Sequence, residues 1–105
     1  KLYFTTYCSS NCGGSQYQNL LGSTVLVPGV WYHVAGVYSE SQDSMAVYLN
    51  GTLENNLTLP SSYNLYSWTS TDYIGRGTWA GTYSFDGLID EVRISSIART
   101  EFDLM

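Results

Sequence analysis

Residues 85–94, FDGLIDEVRI, constrain this chain more than any other stretch. Asp86-Gly87 is a turn pair, and an alternating run follows it. Leu88, Val92 and Ile94 share one side of an extended strand; Ile89, Glu91 and Arg93 share the other. Apolar on one side and salted on the other, the segment reads as a central strand of a sandwich. Asp90 falls on the apolar side. A buried carboxylate needs hydrogen bonds or a cation, so a specific partner is expected for it.

A period of two recurs along the chain. Residues 1–7 set Leu2, Phe4 and Thr6 against Tyr3, Thr5 and Tyr7, a strand with aromatics on both faces. Residues 16–21 and 23–27 read as two short strands about Gly22, or as one strand bulged there. Pro28-Gly29 marks a turn. Residues 31–39 put Trp31, His33, Ala35 and Val37 on one face and Tyr32, Val34, Gly36 and Tyr38 on the other. Both faces are largely apolar, which predicts a central strand. The polar loop 39–44 leads to a partner strand over 45–49, and Asn50-Gly51 signals a two-residue type I′ turn. Residues 52–59 return, completing a meander that Pro60 breaks. Residues 63–70 read as a long loop with one short strand, 72–75 as a strand, and 76–84 as a Gly-rich loop. Thr100 is placed to cap a last helical turn through Asp103, with Phe102 folded back on the sandwich. No heptad or long helical pattern occurs, so the chain is read as all-β.

Four of these segments together resemble a known family. They are Val30-Trp31-Tyr32-His33-Val34-Ala35-Gly36-Val37-Tyr38, Val47-Tyr48-Leu49-Asn50-Gly51, Tyr73-Ile74-Gly75 and the FDGLIDEVRIS run. In this order they are similar to the strands of laminin-G-like / concanavalin A-like jelly-roll domains, over roughly residues 25–104. The resemblance implies an antiparallel jelly-roll β-sandwich. Family members are generally longer, with an N-terminal strand set that this sequence lacks. Residues 1–105 are therefore expected to form a single domain, incomplete at its N-terminus and a fragment of a longer chain. On that expectation residues 85–94 lie at an exposed edge or under another chain.

Composition narrows the function. Net charge is −5 with four basic residues, so no basic patch for nucleic acid can be assembled. No apolar run approaches the ~20 residues of a membrane span. Charged residues are only 12% while tyrosines number ten, a balance that suits an extracellular, glycan-facing surface. Cys8 and Cys12 bracket a short loop and read as a local disulfide. One distant histidine does not complete a zinc set with them.

The candidate sites follow from chemistry. Sugar recognition uses aromatic faces with amides and hydroxyls beside them. Tyr66 and Trp68 in one loop and Trp79 and Tyr83 in another form the expected platform; the alternative is that these rings cap the core. Asn56-Leu57-Thr58 and Asn50-Gly51-Thr52 are both N-glycosylation sequons. Asn50 is also what its turn requires, whatever follows it. A glycosidase needs two carboxylates across the scissile bond. Asp90 and Glu91 are adjacent and point to opposite faces, so no catalytic residue is assigned. His33, alone within a strand, reads as a hydrogen-bonded core residue. No cofactor is assigned; Asp43, Asp72 and Asp86 are the loop carboxylates that Ca²⁺ would use, and none lies in a D-x-D-x-D-G loop.

The resemblance implies a non-enzymatic recognition or adhesion module, extracellular or on the cell surface, whose partner is a carbohydrate or glycoprotein. The alternative is a structural repeat of a filament, sheath or matrix, in which neighbouring copies assemble by strand addition.

Overall fold

The computed structural model describes residues 1–10, 12–14, 16–61, 63–67, 69, 71–77 and 84–104. Their elements are β1 (Tyr3–Ser10), β2 (Tyr17–Leu21), β3 (Val34–Ser39), β4 (Ser44–Leu49), β5 (Thr52–Thr58) and β6 (Asn64–Leu65). No helix occurs among the described residues. The strands form two antiparallel sheets, ordered β2-β1-β6 and β3-β4-β5. This is the expected β-sandwich.

Between the sheets lies a core of Cys8, Leu20, Met45, Val47, Leu59 and Tyr63, with Phe4, Cys12, Tyr38 and Leu57 packed against it. Alternation explains the choice: even positions of β1 turn inward and odd ones outward. A Cβ at Gly36 of β3 would stand 2.8 Å from the Phe4 ring, so glycine is what admits that ring.

The meander has the predicted turn. Asn50 and Gly51 take φ of 50° and 78°, the left-handed pair of a type I′ hairpin. Asn50 Oδ1 also accepts the His33 backbone N–H at 2.9 Å, tying the turn to the start of β3. The central strand, however, is β4, with β3 at the sheet edge. Residues 31–33 lie outside β3, and Trp31 is exposed. In β4, Met45, Val47 and Leu49 face the core while Tyr48 on the other side lies under Phe102, ring centroids 5.0 Å apart. Phe102 does fold back as expected, but 100–103 form no helical turn. Phe102 sits on Tyr48 and Leu104 approaches Gly51, a spacing of two that an extended chain provides.

Other expected strands are absent. Residues 85–94 form no ladder; Arg76 and Ser84 make an isolated bridge, and the Phe85 N–H donates to the Gly75 carbonyl. Glu91 has φ of 53°, which interrupts an extended run. Leu88 and Ile94 are 77% and 93% exposed, and Asp90 is exposed too, its Oδ1 accepting the Glu91 N–H. A side-chain pattern supplies no partner strand, so alternation alone does not make a sheet here. Residues 72–75 are likewise not a strand; Gly75 turns the chain at φ 85°.

Residues 23–27 form no strand either; the chain bends at Ser23 and Thr24, which Glu54 holds. In β5, Asn55 pairs with Val47 and Leu53 with Tyr48, so Glu54 is the extra residue of a bulge. Its carboxylate accepts the Thr24 N–H (2.7 Å) and hydroxyl (2.8 Å) and the Ser23 N–H (2.9 Å) and hydroxyl (3.1 Å). Thr24's backbone and side-chain donors, joined by those of Ser23, hold its carboxyl below the ordinary value of 4.5, against a smaller opposing effect of burial. A depressed folded pKa means that the latch contributes fully above about 4.5 and is lost as pH falls through the lower value. The amide resonances of Ser23 and Thr24 are expected to titrate together with a midpoint below 4.5. Glu54→Gln should remove that titration; a midpoint at or above 4.5 would contradict the latch.

Candidate functional site

The outer face of the first sheet carries a row of aromatic rings. β1 and β2 pair Tyr7 with Tyr17, Thr5 with Asn19 and Tyr3 with Leu21, all side chains on that face. On the other side of β1, just beyond β6, the Tyr66 N–H donates to the Tyr7 carbonyl at 2.8 Å. The Tyr7 ring stands 4.8 Å from Tyr17 and 5.4 Å from Tyr66, at interplanar angles of 66° and 75°. These are edge-to-face contacts, the arrangement that aromatic quadrupoles favour. Tyr17 and Tyr66 are 55% and 45% exposed, whereas Tyr7 is half-buried between them.

Polar groups flank the row. Thr5 Oγ1 donates to Asn19 Oδ1 at 2.9 Å, which leaves the Asn19 amide hydrogens as donors and the Thr5 hydroxyl as an acceptor. Asn64 Nδ2 donates to Ser10 Oγ at 3.0 Å beside β6. Rings, amides and hydroxyls on one rigid sheet can stack a flat apolar surface and orient hydroxyl groups.

Of the four residues expected to form a platform, Tyr66 stands in this row. Trp68, Trp79 and Tyr83 lie outside the described residues. Tyr7 and Tyr17 are not among the expected site residues, although alternation along residues 1–7 places Tyr3, Thr5 and Tyr7 on one face.

Elsewhere, Cys8 and Cys12 form the expected disulfide, Cα atoms 5.7 Å apart. Asn56 is exposed on β5, and Asn50 is exposed in its turn. Asp72 and Asp86 are exposed, while Asp43 is half-buried at φ 47°. Among the described residues no three His, Cys, Asp or Glu side chains gather as a metal site. His33 is half-buried with its ring 5.6 Å from Phe102, and its Nδ1 has no hydrogen-bond partner among the described residues. A polar cleft of about 490 Å³ opens between Tyr38 to Gln42 and Ser96 to Ala98. Burial, with smaller contributions from Glu40, Tyr63 and Asp43, pushes the Tyr38 hydroxyl above its ordinary range. That hydroxyl donates to the Tyr63 carbonyl at 3.2 Å. No described helix is long and apolar enough to cross a membrane.

The family model of the concanavalin A-like lectin/glucanases superfamily matches residues 3–104. No curated protein matches the sequence. Among solved structures, residues 221–444 of an S-layer domain-containing protein from Clostridium thermocellum are similar, at 25% identity and a TM-score of 0.57. The match covers 80% of this chain and 42% of that one, so the chain spans less than half of that structure's length.

Proposed function

The chain belongs to the concanavalin A-like lectin/glucanases superfamily, and from that premise we propose that it is a non-enzymatic carbohydrate-recognition module working outside the cell. The observation that carries this reading is the Tyr17–Tyr7–Tyr66 row with Thr5 and Asn19 beside it. Pyranose rings present an apolar face that stacks on aromatic side chains, and their hydroxyls need amide and hydroxyl partners. Likeness to an S-layer domain-containing protein supports a place at the cell surface. The superfamily includes glucanases. Against that chemistry here, Asp90 and Glu91 are exposed neighbours and Asp90 caps its own chain. Asn56, and Asn50 where its turn admits a glycan, are the proposed N-glycosylation positions. Trp68, Trp79 and Tyr83 extend the platform in this proposal, and Asp43, Asp72 and Asp86 are the proposed ligands if binding requires calcium.

A glycan-array screen with calcium and again with EDTA tests the reading. Saturable binding is expected, with Tyr17→Ala and Tyr66→Ala each weakening it about tenfold or more while the fold is kept. Binding that survives both changes would remove this face from consideration.

A second reading is favoured by the exposed apolar side chains of residues 85–97. Phe85, Leu88, Ile89, Val92, Ile94 and Ile97 all face solvent, the kind of surface that mediates contact between proteins. On this reading the chain is a structural repeat that packs against neighbouring copies. Leu88→Asp should then dissociate assemblies seen by analytical ultracentrifugation, and a wild-type protein that sediments as a monomer at all concentrations would exclude it.

A further inference from the structure

Where charge lies on this molecule decides which carbohydrates its aromatic face can hold. All nine acidic and all four basic side chains fall on described residues. The Arg76 guanidinium sits over the Tyr73 ring, 4.5 Å from its centroid. Arg99 Nε donates to Ser95 Oγ at 3.0 Å, and Arg93 belongs to the exposed segment 85–94. Lys1 precedes β1, six residues before Tyr7. Thr5 is four residues from Lys1, and an extended chain separates Lys1 from Thr5 and Tyr7 by up to roughly 13 and 20 Å, beyond the screening length of about 8 Å at physiological salt. The groups paired across the row are Thr5 with Asn19 and Tyr7 with Tyr17, none of them an Arg, Lys, Asp or Glu. A sulfate or carboxylate on a bound sugar is recognised through Arg or Lys, usually in bidentate geometry. With a net charge of −5, the long-range field also repels polyanions.

Ring spacing adds a second constraint. Separations of 4.8 and 5.4 Å are of the order of one pyranose residue along an extended glycan. Neighbouring rings are strongly inclined, so the two exposed outer rings stack sugars while half-buried Tyr7 supports them from between. A chain lying across the strands would place one residue on Tyr17, the next over Tyr7 and the third on Tyr66.

We infer that the Tyr17–Tyr7–Tyr66 face selects neutral, extended glycans of at least three pyranose residues and rejects sulfated, uronic and sialylated ones. This rests on the carbohydrate reading above and names its ligand class. Polar recognition comes from the Asn19 amide and Thr5 hydroxyl, which serve uncharged hydroxyl groups well and anions poorly.

The test is isothermal titration of the wild-type chain at low and at physiological salt, with calcium and with EDTA. The neutral probes are xylose, glucose and mannose oligomers of one, three and six residues. The acidic probes are a heparin hexasaccharide, a galacturonate trimer and sialyllactose. A neutral trimer is expected to bind at least tenfold more tightly than its monomer, a hexamer little better than the trimer, and no acidic probe at either salt. Asn19→Lys should then admit the galacturonate trimer in a salt-sensitive manner, because it sets a cation beside the row. Acidic probes binding the wild type as well as neutral ones, with loss in Tyr66→Ala, would overturn the selectivity and leave the carbohydrate face standing. Equal affinity for monomer and trimer would overturn the three-ring geometry. No binding to any probe would instead overturn the carbohydrate reading itself.

Discussion

Replacing Tyr63 with alanine is expected to cost about 3–5 kcal/mol of stability. Small domains are held by only about 5–15 kcal/mol, so this change should leave a substantial unfolded population. The residue is 1% exposed and is among the largest fully buried side chains. Its ring packs in the core shared by both sheets, and its hydroxyl meets Thr6 Oγ1 at 2.9 Å. Its carbonyl accepts the Tyr38 hydroxyl, and its N–H donates to the Pro60 carbonyl. Tyr63→Phe separates ring from hydroxyl. It keeps the packing and removes a partner of the buried Thr6 hydroxyl, whose remaining contact is a weak one to Met45 Sδ at 3.7 Å. About 1–3 kcal/mol should be lost. Urea unfolding of the two variants checks the order; a larger loss in phenylalanine than in alanine would refute the core assignment.

Breaking the Cys8–Cys12 crosslink should reach the core as well as the loop it closes. Cys8 has no exposed surface and belongs to the central cluster, while Cys12 is half-buried against it. The crosslink contributes about 2 kcal/mol in the chain-entropy model for so short a loop. Serine at either position loses that contribution equally. At position 8 it also replaces a fully buried sulfur of the central cluster by a smaller, polar hydroxyl whose nearest acceptor is the Ser10 carbonyl, 3.0 Å from Cys8 Sγ, a further cost of about 1 kcal/mol in lost packing and desolvation. Cys8→Ser should therefore be less stable than Cys12→Ser by that increment. Cys12→Ser should fall between Cys8→Ser and the wild type. Equal midpoints in denaturant for the two variants would show that the disulfide stiffens a surface loop and nothing more.

Local signals in the sequence are legible because their causes are local. Asn50-Gly51 states its backbone conformation in two residues, and the meander around it follows. The disulfide and the return of Phe102 onto the sheet were also legible. What was not legible depends on neighbours. Residues 31–39 and 45–49 are both apolar on two sides, and only the sheet order reveals that β4 is central and β3 an edge. Residues 85–94 alternate like a strand, yet a ladder needs a second backbone, and Glu91 turns away from the extended region. The aromatic row shows the same limit. Tyr7, Tyr17 and Tyr66 come from three separate segments, and the pairing register that aligns them passes through the disulfide-closed loop and a register shift after Cys8.

Pairing Cys8 with Leu65 encloses β2 and the whole β3–β4–β5 meander in a single loop. The meander needs only short hairpin closures, whereas β6 must meet an edge that lies most of the chain away. Loop entropy has to be met before such distant contacts return anything, so topology of this kind sets an order of events. The chain assembles from its middle outward, with β4 as the first strand to find both neighbours and β6 as the last to arrive. Kinetic φ-values near one at Val47 and near zero at Leu65 would record that order. The aromatic row, which needs Tyr66 beside Tyr7, is then completed only in the final step of folding, so partly folded chains would carry the meander without the finished row.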